Sequence, residues 1–376
     1  MRPPLTAQEI HPRELTPGHE ALWAQFRALD PRLAHPYFDV RFTQAAADVP
    51  GGAVAILARG DRVVGFFPLQ RRRNLVQPLA APMSDYHGVI AAPGEKISPQ
   101  ALIGAIGGAL SADAWAGATV PGFQRRERMA TRIEGGAAAL QSRLEAKNRK
   151  FWKNMKRKAR RLEEEVGPTR FTWDDCAPET LDWLIAAKRA QYARTRRHDI
   201  FACGWTLDLL TALRERHGEG FGLRIASLRT AKGELMAAEA SLDDNRTLHL
   251  WFPVYDPIYR RYGPGMYLTW LQLKNASDEG YIEVDFGCGD GDYKATLADV
   301  AGYVWRGSTV SDRPTRTALV RLFDRRAPKR LRRLGASMSR RLDVINACET
   351  SPAGWMTGAA SAGWAMINRR NTGTAS

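Results

Sequence analysis

The sequence predicts an α+β protein, helix and strand mixed, made of two domains and a basic helical tail. Three observations predict this. Residues 222–254 read as three short apolar strands parted by the turn residues Lys232-Gly233 and Asp243-Asp244-Asn245. Stripes of helical period stand before and after that meander. The chain has 376 residues, 44% of them hydrophobic and 25% charged, which suits a folded soluble protein of about two domains.

The elements follow in order. Thr16 and Pro17 open a helix over 17–29, and Asp30-Pro31 stops it. Ala53–Ala58 and Arg62–Leu69 form a hairpin across Arg59-Gly60-Asp61. A loop carries Pro78, Pro82 and Ser84–Gly88, and a helix covers Gln100–Leu110. Gly135-Gly136 then punctuates the chain. Leu144, Phe151, Met155, Leu162 and Val166 draw one apolar stripe along a helix over 140–165, closed by Gly167-Pro168. A short strand fits Thr169–Trp173, and helices fit Pro178–Arg194 and Thr206–His217. The meander comes next, as Gly222–Leu228, Glu234–Leu242 and Thr247–Val254. Pro264–Asp278 is a helix and Ile282–Phe286 a strand. Residues 313–343 form a second basic helical region broken by Pro328, and the Gly/Ala/Ser/Thr-rich stretch from Ser351 reads as mobile. The domains expected are 1–139, 140–311 and a tail at 312–376.

Charge is concentrated. The formal net charge is +15, yet Arg143–Arg161 carries +9 and Arg313–Arg341 carries +10, so the remainder is −4. Two basic helices on a near-neutral protein suit phosphorylated ligands, anionic lipid or nucleic acid. No apolar run approaches the ~20 residues of a membrane span, and Met1-Arg2-Pro3-Pro4 opens no secretory leader. Cys176, Cys203, Cys288 and Cys348 show no C-x-x-C spacing, which points away from a metal site and a disulfide framework and towards a reducing cytoplasm.

The segment Arg260-Arg261-Tyr262-Gly263-Pro264-Gly265 fits R-x-x-G-x-G between a strand and a helix. Glycines there let a backbone approach a ligand closely, and the uncapped N–H groups of a helix start attract phosphate. Placed between the fourth strand and the next helix, this motif resembles the coenzyme A pyrophosphate motif of GNAT acyltransferases. The run Trp251–Pro257, then Pro264-Gly265, Asp285-Phe286-Gly287 and Tyr293-Lys294, is similar to one branch of them. That branch is the FemAB-like acyltransferases, CelD-like or BioF2-like, linked to cellulose and exopolysaccharide synthesis. The basic helix Lys147–Leu162 and Lys188-x-x-Gln191 resemble the same branch, and the likeness spans about residues 140–300. It implies tandem GNAT-like domains, the N-terminal one degenerate, because residues 20–135 hold no R-x-x-G-x-G. Glu239 departs from the pattern, standing where many members carry a histidine.

The resemblance implies an acyl-CoA-dependent N-acyltransferase using acetyl-CoA as co-substrate and no metal. The acceptor would be an amino sugar of an exopolysaccharide precursor. Arg260, Arg261, Gly263, Gly265 and Met266 would hold the coenzyme. Glu239, a carboxylate in mid-strand among alanines, Asp285, Tyr293, Lys294 and Tyr255 are the candidate proton-handling groups. Asp85, Tyr86, His87, Lys188, Gln191 and Trp251 are the candidates for the acceptor, while His249 reads as a core-edge residue. Capping, packing or a solvated strand face accounts equally well for the proton-handling candidates, while packing for Trp251 and a polar loop for Asp85–His87 are the readings the residues favour. Ile282–Gly291 also looks like the first motif of a methyltransferase that uses S-adenosylmethionine, but only 85 residues follow Gly291, too few to complete such a sheet.

Two other functions stay open at this level. One is an aminoacyl-tRNA-dependent transferase with RNA along Arg143–Arg161. The other is a non-catalytic sensor of an anionic ligand. In the tail, Leu331, Leu334, Met338 and Leu342 form a stripe flanked by arginines, suited to an anionic membrane surface or a cyclic dinucleotide. The expected location is the cytoplasm, peripheral at the inner membrane if that stripe docks.

Overall fold

In the computed structural model, residues 2–72, 74–288, 294–309 and 341–367 are described. They fall into two units. The first comprises 1–124, 192–209 and 305–376, and the second 125–191 and 210–304.

In the first unit, β1 (Leu5–Ile10), β2 (Gly52–Arg59), β3 (Arg62–Arg72), β4 (Leu75–Pro78), β5 (Ile90–Ala91) and β6 (Ala109–Trp115) build the sheet. Its order is β1-β2-β3-β4-β6, with β5 paired to β3. Helices α1 (Pro17–Ala28), α2 (Val40–Ala45) and α3 (Pro99–Ile106) accompany it. The expected hairpin is present, with Arg59 paired to Arg62. Val64, Phe67, Leu69, Leu102, Leu110 and Trp115 are at the centre of the core. The helix expected to reach Leu110 stops at Ile106. Gly107 and Gly108 take positive φ, and Leu110 already belongs to β6.

In the second unit, β7 (Gln124–Arg132) leads into α4 (Gly136–Lys147) and α5 (Arg149–Val166). One continuous helix was expected here. Asn148 divides it, its side chain accepting from Phe151 N at 3.0 Å, because a short amide competes with the helical ladder and caps the second helix instead. Then come β8 (Thr169–Thr172), α6 (Pro178–Thr195), which ends in the first unit, and α7 (Trp205–Glu215), which begins there. The meander is β9 (Gly222–Thr230), β10 (Leu235–Asp243) and β11 (Thr247–Tyr255). After it come α8 (Pro264–Asp278), β12 (Glu283–Cys288) and the short α9 (Lys294–Leu297). The sheet order is β7-β12-β11-β10-β9-β8. Leu140, Leu144, Trp152, Leu248, Trp270, Leu273 and Val284 form one core cluster. Leu162, Leu228, Met236, Tyr262 and Leu268 form another. The apolar stripe of the basic helix is therefore core, as its spacing requires.

The last strand is β13 (Asp299–Ser308), and Trp305, Gly307 and Ser308 at its end pair with β6. Residues 341–348 are helical, and α10 (Pro352–Ile367) follows. The stretch from Ser351 is thus not a mobile tail over its first part. Pro352 opens the helix, and Ser351 Oγ accepts from Gly354 N at 3.0 Å. The basic stripe at Leu331–Met338 lies outside the described residues. No described helix is long and apolar enough to cross a membrane.

Candidate active site

The parallel pairing of β11 with β12 is short. Thr247, Leu248 and His249 match Glu283, Val284 and Asp285, and the pairing ends there. Both strands continue, β11 to Tyr255 and β12 to Cys288, so they part beyond His249 and Asp285. Trp251 forms a bulge in β11 against the shift at Ala240/Ser241 of β10, which turns the strand at the same level.

Two buried polar groups stand at this parting. Asp285 is fully buried and takes three donors. Gly287 N lies at 2.8 Å from Oδ1, His249 Nδ1 at 2.8 Å from Oδ1, and Arg128 Nη1 at 2.7 Å from Oδ2. A carboxylate that already accepts from an amide and a guanidinium is an acceptor, so His249 carries its proton on Nδ1. Arg128 also grips Glu283. Glu239 is the second group, 2% exposed in mid-β10. Its Oε2 accepts from Gln272 Nε2 of α8 at 2.8 Å. Burial pushes its carboxyl up to about 7, against the opposing pull of Gln272 and of the Lys188, His249 and Lys294 charges.

The glycine turn adjoins the end of β11. Asp256 caps a short 3-10 turn over Pro257–Tyr262, and Gly263 then adopts φ 67°, ψ 47°, a left-handed conformation suited to glycine. Pro264 opens α8, and no side chain caps that start. A Cβ on Gly265 would stand 3.5 Å from the Tyr255 ring, and one on Gly263 would stand 3.7 Å from Lys158 Nζ of α5. The turn thus has an uncapped helix N-terminus, a lysine amine, an exposed Arg260 and a tyrosine ring. Arg261 differs from Arg260, being bound to Glu165 of α5 at 2.9 Å. Met266 packs against the core.

The remaining candidates are dispersed. Lys188 is buried in α6 and donates to Pro253 O at 2.9 Å. Gln191 is three residues further along the same helix, and Trp251 stacks on Phe252 at 4.6 Å. Lys294 opens α9 and donates to Cys288 O at 3.4 Å, whereas Tyr293 lies outside the described residues. Asp85, Tyr86 and His87 belong to the first unit. There Tyr86 packs edge-on to His35 at 4.3 Å, and His87 Nε2 accepts from Ala114 N at 3.1 Å. Sequence reasoning missed Gln272, Arg128 and the bonded state of His249. For Gln272 a signal existed, since an amide four residues from both Leu268 and Ala276 sits on the buried stripe of α8. Arg128 lay on a strand that sequence reasoning did not foresee.

An uncapped helix start after a left-handed glycine, beside parting parallel strands, presents backbone N–H groups of the kind that attract an anion. Residues 149–295 match the family described as the acetyltransferase (GNAT) domain. That stretch is similar to a GNAT-type domain. The match holds α5 through β12, and with them the turn, Glu239 and Asp285. The mixed α/β architecture is GNAT-like, and a GNAT acetyltransferase domain supports an acyltransferase as the enzyme class. Among solved structures, the fold is similar to that of FemX, with 12% identity and a TM-score of 0.51, covering 80% of this chain and 96% of that one. It is also similar to a conserved protein of unknown function from Bacteroides thetaiotaomicron, with 10% identity and a TM-score of 0.50, covering 78% and 97%. A tandem GNAT protein from the clavulanic acid biosynthesis pathway aligns at 12% identity and a TM-score of 0.49, covering 82% and 100%. Likenesses this distant speak to the fold alone. No curated protein matches the chain.

Proposed function

We propose that this protein is an acyl-CoA-dependent N-acyltransferase, using acetyl-CoA, and that its acceptor is the amine of an amino sugar in an exopolysaccharide precursor. The observation that carries the coenzyme half is the uncapped start of α8 at Gly263–Gly265, next to the strands that part after His249 and Asp285. The acceptor half rests on the resemblance of Trp251–Pro257 and Asp285–Gly287 to the polysaccharide-linked branch.

In this reading, Arg260 and the N–H groups of the first α8 turn hold the pyrophosphate, and Lys158 adds charge. Gly265 keeps the approach open. The parted strands hold the thioester-bearing arm. The acceptor nitrogen attacks the thioester carbonyl and a C–N bond forms. Glu239 takes the amine proton, which its raised pKa allows near neutrality. The C–S bond then breaks, and Tyr255, whose ring stands beside Gly265, protonates the departing thiolate. The Arg128–Asp285–His249 chain holds the parting strands in register. Lys188, Gln191 and Trp251 face the acceptor, and Lys294 closes the far edge. The basic tail brings the enzyme to an anionic membrane surface or senses a cyclic dinucleotide.

One observation favours a second reading, an aminoacyl-tRNA donor. The α5 residues Lys150, Lys153 and Arg157 are exposed on one helix. The test is turnover of purified full-length protein with amino-sugar nucleotides, followed by thiol release from acetyl-CoA and, in parallel, by deacylation of charged tRNA. Acceptor-dependent thiol release supports the first reading. Deacylation without thiol release replaces it with the second.

A further inference from the structure

The first unit contains a cluster of side chains that the transferase chemistry does not use. His198 precedes and Cys203 ends the 3-10 turn Ile200–Cys203, while Cys348 ends the helical residues 341–348 and Glu349 follows them. Sequence spacing points away from a metal here because no two cysteines share a motif. The fold overrides spacing and joins residues 146 apart. The donor atoms of His198, Cys203 and Cys348 all lie within 4.8 Å of one another. Glu349 Oε1 lies 3.2 Å from His198 Nε2 and 3.7 Å from Cys203 Sγ. In a tetrahedral zinc site, bond lengths of about 2.0–2.3 Å put N and O about 3.4 Å apart and S and O about 3.6 Å apart. The observed separations match both.

The surroundings favour such a site. His198 Nε2 is buried without a well-directed hydrogen bond, although Glu349 Oε1 is 3.2 Å away and the Cys203 thiol is beside the ring, a spacing that suits shared coordination. The backbone on both sides of the cluster is fixed. Trp205 Nε1 donates to Cys348 O at 3.1 Å, Arg72 Nη2 donates to Ala347 O at 3.2 Å, and Asp199 caps the turn through Phe201 N at 3.1 Å. Two thiolates and a carboxylate on a divalent ion leave one negative charge, and the Arg72 guanidinium acts on both cysteines to offset it. Two soft sulfurs with one imidazole and one carboxylate select zinc over magnesium or calcium.

We propose that His198, Cys203, Cys348 and Glu349 form a structural zinc site, which ties the 341–348 helix to the 198–203 turn within the first unit. Binding forms two Zn–S, one Zn–N and one Zn–O bond. The two thiol protons pass to solvent, and nothing is oxidised.

The test uses reduced full-length protein, titrated with zinc against a chromophoric chelator and with cobalt by absorption. One zinc per chain is expected, together with a cobalt spectrum showing thiolate charge transfer and tetrahedral d–d bands. Cys203→Ser and His198→Gln should each weaken zinc binding by about 100-fold or more, while Cys176→Ser and Cys288→Ser should leave it unchanged. Cys348 is buried, so a misfolded Cys348→Ser would be ambiguous. Thiol alkylation of the unaltered chain resolves that, since zinc should protect Cys203 and Cys348 and leave the other two cysteines as reactive as before. Uptake well below one equivalent, binding unchanged in Cys203→Ser, protection of other cysteines, or a Cys203–Cys348 disulfide in a chain that takes up no zinc would each overturn the proposal.

Discussion

Glu239 keeps its proton to an unusual pH because mid-strand burial penalises the anion more than Gln272 and the nearby cations favour it. Its folded pKa lies above the ordinary 4.5, so its contribution to stability is fully present below about 4.5 and is lost as pH rises through about 7. The loss amounts to up to about 3 kcal/mol at alkaline pH. Glu239→Gln should remove that pH dependence from urea unfolding while the fold persists. If Glu239 is the base, the same variant should lower kcat by about 10²–10⁴ and abolish a rising limb with its midpoint near pH 7. Asp285 behaves differently, since its burial is offset by His249, Arg128 and Gly287 N. Asp285→Asn puts an amide donor where one of three donors finds its acceptor and leaves Arg128 to Glu283 alone, and should cost about 3–5 kcal/mol in the same measurement. Glu239 was legible in the sequence as a lone carboxylate among alanines. The role of Asp285 as the hub of a buried chain was not, because Arg128 and His249 come from strands far apart in sequence.

Among the elements, those that were legible carry two agreeing signals. Helix α8 was foreseen with both its ends, since Pro264 opens it and its buried side is apolar but for Thr269 and Gln272. The meander was marked by its turn residues. The errors have local causes. Asn148 caps where a stripe alone suggests continuity, and Ser351-Pro352 is a helix start hidden in a composition that looks like a loose tail. Strands β7 and β13 lack clean alternation, β7 being charged at five of its nine positions, and only their neighbours make them strands. The first residue of β9 gives an element-scale prediction. Gly222 has φ 143°, and a Cβ there would stand 2.2 Å from Leu213 O. Gly222→Ala should therefore destabilise the protein by at least about 2 kcal/mol in urea unfolding. An exposed left-handed glycine with open space, such as Gly60, should cost about 1 kcal/mol.

On the scale of the whole molecule, the first unit is assembled from three stretches of chain, of which 192–209 and 305–376 lie far from residues 1–124. Expected boundaries at 139 and 311 follow composition along the chain, and composition carries no mark of a segment that folds back onto a distant one. The discontinuity has a practical consequence. Ile345, Ala347 and Cys348 are buried and Trp205 bonds to Cys348 O, so truncation at 313 would open the first unit instead of removing a passive tail. Point variants in the full chain are therefore the sound probes. The central claim is that the turn at Gly263–Gly265 binds the pyrophosphate of an acyl-CoA, and the direct measurement is calorimetric titration of acetyl-CoA into full-length protein and into Gly265→Glu. The account predicts one site per chain in the unaltered protein, a loss of about 1–3 kcal/mol for Arg260→Ala, and no detectable binding when a carboxylate is placed in the turn. Acetyl-CoA affinity unchanged in a folded Gly265→Glu protein, or no binding to the unaltered chain, would contradict it.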